Sequence, residues 1–273
     1  MNRKLVRLDK YLSDKKLAPS RTAAKNFIEE GRVRVNGVIV TRPASMIAPD
    51  ADVKVDAPEK EWVSRGAYKL LKAVESFSID ASGKRCVDIG ASTGGFTDVL
   101  LSGGAAKVYA VDVGYGQLAW KLRCDPRVTV LERTNARTLT LDHIDGEKAD
   151  IIVSDASFIS LTLLLPAMEA LLSDDGLIAA LVKPQFEAGR ERVGKGVVSD
   201  PSLHVAILNE VAGFIDEKTG LSLEDADFSP IRGPEGNIEF LFLLKHRTGM
   251  PAKRPDFDEI VKEAHEKASA HPK

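Results

Sequence analysis

The chain of 273 residues holds only two cysteines, Cys86 and Cys124, in unrelated contexts and without C-x-x-C spacing. Neither a disulfide framework nor a metal site is suggested, and a reducing compartment is expected. Long apolar runs are missing as well. The longest candidate, residues 161–172, is interrupted by Pro166 and Glu169, and a spanning helix needs roughly 18 uninterrupted residues. No apolar core follows the charged opening Met-Asn-Arg-Lys-Leu-Val-Arg, which argues against a signal peptide. The expectation is a cytoplasmic protein without stable membrane insertion. Phosphate-binding fingerprints are absent too: there is neither a G-x-G-x-x-G after the first glycine-rich strand nor a G-K-[ST] ending.

What is present is the composition of an ordinary globular protein, with 44% hydrophobic and 29% charged residues. The length suits one α/β domain of about 200 residues with a small satellite. The net charge of −2 conceals an asymmetry: residues 1–45 hold 11 Lys/Arg against 4 Asp/Glu, so this segment is +7 and the rest of the chain −9. A basic module on an acidic body is suited to meeting a polyanion.

The stretch Val87-Asp-Ile-Gly-Ala-Ser-Thr-Gly-Gly-Phe-Thr-Asp98 runs from an apolar strand into a glycine-rich turn and then a helix. Glycines there let backbone N–H groups and a helix N-terminus approach a ligand closely. Asp112 ends the next apolar run, about 20 positions beyond, where a carboxylate can accept hydrogen bonds from ribose hydroxyls. The combination resembles the S-adenosylmethionine-dependent methyltransferases. The resemblance implies that this cofactor is held by Asp88, Gly90, Ser92, Gly94, Gly95, Phe96, Asp112, Asn135, Ala136 and Asp155.

Toward the N-terminus, Leu8, Leu12 and Leu17 mark a short helical face. Ser20 can cap a second helix, Arg21 to Glu30, striped by Ala24, Phe27 and Ile28. Asn36-Gly37 within an alternating run predicts a hairpin, and residues 53–55 return as a strand. The order R-L-D-K-Y-L, S-R-x-x-A, G-x-V-x-V-N-G resembles the S4 RNA-binding domain. That resemblance implies that Arg7, Lys10, Ser20, Arg21, Lys25 and Arg34 share one RNA-contacting surface.

The predicted organisation is an α+β S4 domain over 1–56, a linker over 57–63, a methyltransferase domain over 64–248 and a tail over 249–273. Within the tail Phe257, Ile260, Val261 and Ala264 suggest a helix. A helix over 64–77, capped by Ser64, opens the second domain. Alternating strands and helices follow from residue 85, including a helix over 159–172, and two long strands at 221–230 and 237–246 close it. Such alternation predicts an α/β, Rossmann-like, mostly parallel sheet with a final antiparallel pair. Asp155 and Lys183 then end parallel strands, and Glu239 starts the antiparallel one, so all three reach the same rim. With Lys69 they form a K-D-K-E set resembling the FtsJ-like ribose methyltransferases, and the S4 module in front narrows the resemblance to the TlyA, or haemolysin A-like, family.

The resemblance implies 2′-O-methylation of a ribose, a cytidine in that family, in the RNA of ribosomal subunits, with Lys69, Asp155, Lys183 and Glu239 as catalytic residues. A hydroxyl needs a positioned base and an in-line approach, and a second ammonium with partial desolvation can turn a lysine into one. Lys183 is expected to take the proton, Lys69 to lower its pKa and steer the hydroxyl, and Asp155 to hold Lys183 and face the sulfonium. Glu239 would orient Lys69 or the ribose. Asp155-Ala-Ser-Phe158 departs from the [DN]-P-P-[YF] of enzymes that methylate base nitrogens, and Phe158 is expected to be a core aromatic. In the long loop after Lys183, Arg190, Arg192 and Lys195 could clamp RNA, as could Arg65. The alternatives are a non-catalytic ribosome-associated factor and a membrane-active haemolysin.

Overall fold

The computed structural model describes residues 5–18, 20–29, 31–56, 61–189, 192–193, 196–233, 235–249 and 253–270. The chain forms two compact units, Met1–Glu61 and Trp62–Lys273.

In the first unit, β1 (Val6–Arg7), α1 (Leu8–Asp14), α2 (Arg21–Glu29), β2 (Val33–Val35), β3 (Val38–Ile39), β4 (Met46–Ile47) and β5 (Val53–Val55) enclose a small core of Leu8, Leu12, Ala24, Ile28, Val33 and Ile47. Ser20 does cap α2, its Oγ accepting from the Ala23 N–H at 3.1 Å. Asn36 and Gly37 both have positive φ, as the tight turn joining β2 to β3 requires. Leu17 departs from expectation. Because α1 stops at Asp14, Leu17 lies beyond the helical face and is exposed.

The second unit runs α3 (Ala67–Phe77), β6 (Arg85–Ile89), α4 (Gly95–Ser102), β7 (Lys107–Val111), α5 (Trp120–Arg123), β8 (Val128–Leu131), β9 (Ala149–Ser154), α6 (Leu165–Leu171), β10 (Leu172–Val182), α7 (Pro184–Glu187), α8 (Pro201–Lys218), β11 (Leu221–Phe228), β12 (Phe240–His246) and α9 (Phe257–Ala270). Seven strands form one sheet in the order β11-β12-β10-β9-β6-β7-β8. Strands β8, β7, β6, β9 and β10 are mutually parallel, and β12 inserts antiparallel between β10 and β11.

Alternation along the strands sends side chains to two cores. On one face Val87, Ile152, Ile178 and Val182 pack with α6, α8 and α9; on the other Cys86, Val108, Ile151 and Leu181 pack with α3 and α4. The tail helix is part of the first core: Phe257 stacks on Phe242 with ring centroids 5.6 Å apart.

Two helix boundaries differ from expectation. Helix α3 starts at Ala67 behind Gly66, with no side-chain cap, so Ser64 is outside it. Residues 159–172 split into a 3-10 turn, Leu161–Leu163, and α6, which places Pro166 in a first turn. A proline is tolerated there because that N–H has no partner within the helix.

Candidate active site

The chain order reverses between β6 and β9: from β6 the strands proceed outward through β7 and β8, then resume on the other side of β6. Ligands of open α/β sheets bind at such a switch point, outside the carboxyl ends of the strands. Here the ends meet closely, with the Asp155 N–H donating to the Ile89 carbonyl at 3.0 Å. Gly90 has φ +81°, and a Cβ on it would fall 2.8 Å from the Cα of Ala156. Only glycine satisfies both conditions. Two cavities open around this junction, one of about 750 Å³ and one of about 370 Å³.

Lys69, Asp155 and Lys183 line the larger cavity. The Lys69 Nζ lies 2.7 Å from Glu239 Oε2 and 3.1 Å from Asp155 Oδ2. The Lys183 Nζ lies 2.7 Å from Asp155 Oδ1 and donates to Ser157 Oγ at 2.8 Å and to the Asp155 carbonyl at 3.1 Å. Four residues from α3, the position just before β12 and the ends of β9 and β10 thus form one alternating chain of charge, Glu239, Lys69, Asp155, Lys183. Lys69 is 6% exposed and Glu239 fully buried, so neither charge is tolerable without the other. Burial acts to lower the Lys69 pKa, but the carboxylates of Asp155 and Glu239 outweigh it and hold the value above that of an ordinary lysine.

The smaller cavity is lined by Gly90, Ser92, Asp112, Asn135, Ala136 and Asp155, with Val111, Ile159 and Leu164 as apolar wall. The Asp112 carboxylate accepts the Ser92 N–H at 2.8 Å and the Gly114 N–H at 2.6 Å. Each carboxylate oxygen retains a lone pair for a further donor. An oriented acceptor beside an apolar slot fits a nucleoside, ribose hydroxyls on Asp112 and a flat ring in the slot. Gly95 and Phe96 line the larger cavity instead.

Asp88 and Gly94 border neither cavity. A Cβ on Gly94 would meet Leu118 and Leu122. Asp88 is fully buried, and its Oδ2 accepts the Thr97 N–H at 2.9 Å and the Thr97 hydroxyl at 2.7 Å, which pins the first turn of α4. Burial pushes the Asp88 carboxyl up to about 7 despite those two bonds.

The residues expected to meet RNA are less uniform. Arg7 and Arg21 converge on the buried Asp9, at 2.8 and 3.2 Å, while Lys25 pairs with Glu29 and Arg34 with Asp56. Lys10 is exposed. In the second unit Arg65 lines the larger cavity. Arg192 is not poised as a clamp: it grips Glu210 of α8 through both terminal nitrogens, at 2.7 and 2.8 Å, and the Ala188 carbonyl through Nε. Such a bidentate pair holds the guanidinium against the protein. Arg190 and Lys195 lie outside the described residues.

Phe158 departs most sharply from expectation. It is 90% exposed, has φ +63°, and sits 5.2 Å from Phe186, centroid to centroid. The left-handed backbone swings the side chain out of the core, and no sequence pattern announces that turn. Ser157, which anchors Lys183, and Gln185, whose Nε2 donates to Glu239 at 3.4 Å, carry no motif that marks them as site residues. Their one signal in the sequence is adjacency to Asp155 and Lys183.

The same architecture recurs in known proteins. Residues 62–246 match the FtsJ-like methyltransferase family and residues 6–53 the S4 domain. The chain is 46% identical over 261 residues, 95% of its length and 97% of the relative's, to the 16S/23S rRNA (cytidine-2'-O)-methyltransferase TlyA of Mycobacterium tuberculosis. It is 43% identical to hemolysin A of Brachyspira hyodysenteriae, covering 86% of this chain and 98% of that one. A solved structure of a hemolysin candidate from Streptococcus thermophilus superposes with a TM-score of 0.74 at 40% identity, covering 98% of each chain. Among the described residues no helix is long and apolar enough to cross a membrane. A methyltransferase sheet with a cavity at its switch point, preceded by an S4 module and matched nearly end to end by these relatives, leads to one assignment: the chain is an enzyme of the FtsJ-like methyltransferase family, in its S4-containing TlyA and haemolysin A branch.

Proposed function

We propose that this enzyme transfers a methyl group from S-adenosylmethionine to the 2′-hydroxyl of a ribose, a cytidine, in ribosomal RNA. The observation that carries the reading is the Glu239–Lys69–Asp155–Lys183 chain of charge, whose Lys69, Asp155 and Lys183 line the cavity beside the switch point. The names of relatives such as the Mycobacterium tuberculosis protein support the ribose and the cytidine.

The residues that would hold the cofactor are Asp112, Ser92, Asn135 and Ala136 around the smaller cavity, and Gly90, Gly95 and Phe96 toward the larger one. The chemistry it supplies when bound is an electrophilic methyl on a sulfonium. Asp155 lines both cavities, so its carboxylate stabilises positive charge where they join. Lys183, held by Ser157 and Asp155, receives the hydroxyl proton as the oxygen attacks, once its ammonium has given up a proton to solvent. Lys69, kept cationic by Asp155 and Glu239, orients that oxygen and stabilises the negative charge developing on it. The N-terminal unit, with Arg7 and Arg21 presented around Asp9, docks on folded RNA within a ribosomal subunit.

The test is transfer of tritium from labelled S-adenosylmethionine into separated small and large subunits from a strain lacking the gene. Label is expected in ribose 2′-O positions. Lys183→Ala should lower transfer by about a hundredfold or more, the range of general-base catalysis, with cofactor affinity little changed. Label absent from RNA, or undiminished in the variant, would overturn the assignment.

A further inference from the structure

A third cavity of about 250 Å³ adjoins the charged cluster, with Ser157, Phe158, Gln185, Phe186, Asn237 and Glu239 in its wall. It shares Ser157 and Glu239 with the machinery around Lys183 and Lys69. In a nucleotide the base is carried on the ribose carbon next to the one bearing the 2′-hydroxyl. A hydroxyl placed at the two lysines therefore brings its base to the edge of this cavity. At 250 Å³ the space is below that of ordinary drug-sized pockets and suits a single ring.

Gln185 is the informative group in that wall. Its Nε2 donates to Glu239 Oε1 at 3.4 Å, while its Oε1 is buried with no hydrogen-bond partner among the described residues. The orientation of the amide has a physical cause. Glu239 Oε2 is paired with the Lys69 ammonium, so Glu239 presents a carboxylate acceptor to Gln185, and the flipped amide would set oxygen against oxygen. The charged cluster thus dictates that the group left over is a carbonyl. Buried carbonyls without a partner are uncommon in native proteins, and a ligand donor is one of the ordinary reasons for them.

The geometry points to Gln185 as a specificity-determining residue whose Oε1 accepts a hydrogen bond from an exocyclic amino group on a single-ring base. The inference rests on the ribose 2′-O-methylation reading and deepens it. Cytosine presents an amino donor at C4, where uracil presents a carbonyl acceptor. Against Gln185 Oε1 a uracil would bring two acceptors together, so the same atom that favours cytosine opposes its nearest competitor.

The experiment uses the full-length enzyme, labelled S-adenosylmethionine and ribosomal subunits in which the modified ribose, located by mass spectrometry, carries either cytosine or uracil. The wild-type enzyme should methylate the cytosine form at least about tenfold faster, in line with one good base-edge contact. Gln185→Met, similar in length but without the acceptor, should bring the two rates close to equal. Thermal unfolding and cofactor binding by calorimetry report on the fold of the variant. Equal rates with the wild-type enzyme overturn the inference even if the variant does not fold. So do an unchanged preference in Gln185→Met, or an equal loss on both substrates, which would mark a purely structural role through Glu239. Absence of label from ribose with the wild-type enzyme is a different result: it defeats the parent reading, and this inference with it.

Discussion

Lys69 shows how much of this site is contact and how little is local pattern. On α3 it is one lysine among several, and Lys72, one turn on, pairs with Asp227 at 2.8 Å and takes no part in the site. What separates the two is burial between Asp155 and Glu239, which are 86 and 170 positions away. Gly90 is the converse case, legible from the sequence because a glycine in the turn after an apolar strand marks a backbone that a side chain would obstruct. Gly90→Ala should cost about 1–3 kcal/mol from the left-handed backbone alone, with more from the contact with Ala156. Thermal denaturation should show the loss, and calorimetry a cofactor affinity weakened at least about tenfold. At Phe158 apolarity argues for burial, but a left-handed φ of +63° turns the ring outward.

The N-terminus of α4 is the element on which the glycine-rich turn depends. Asp88 holds it from inside the sheet, through the Thr97 N–H and hydroxyl. Its carboxyl, at about 7 in the fold against 3.8 in the unfolded chain, makes the folded state bind more protons than the unfolded one between those values. Stability from this group is therefore present at low pH and lost as pH rises from about 4 to 7, by no more than about 1.4 kcal/mol per pH unit. Asp88→Asn cannot ionise. Its unfolding temperature relative to wild type should rise as pH goes from 5 to 8, and a difference constant with pH would contradict the assignment. Helix α6 carries the complementary lesson. Pro166 reads in the sequence as an interruption of an apolar run, and the fold uses it as a first-turn residue.

For the whole molecule, charge divides between a basic N-terminal unit and an acidic second unit. The electrostatics of the first unit are organised around Asp9, whose carboxyl is held at about 2 chiefly by the hydrogen bonds from Arg7, with Arg21 adding to them. One buried acid thus gathers two guanidiniums that remain partly exposed, at 46% and 58%. Arg21→Ala should weaken binding to ribosomal RNA across sequences and reduce the slope of log affinity against log salt by about one, with Arg7 still satisfying Asp9. Filter binding over a salt series measures both, and an unchanged slope would remove Arg21 from the RNA-contacting surface.

The sequence by itself determined the alternation of strands and helices in the second unit, the two-part composition and the glycine turn, because periodicity, capping and turn chemistry act over neighbouring residues. It singled out Lys69, Asp155, Lys183 and Glu239 together only through resemblance, since nothing in local spacing joins residues 69, 155, 183 and 239. The tertiary structure alone decided that Asp155 bridges two lysines, that Asp88 and Gly94 support the site from behind, and that Arg192 is spent on Glu210. It alone decided that Phe158 faces outward and Gln185 inward. The physical reason is common to all of these: a side chain's partner is set by how strands order in the sheet and how helices pack on it. That order places β9 beside β6 and β12 beside β10, across distances in sequence that local chemistry does not span.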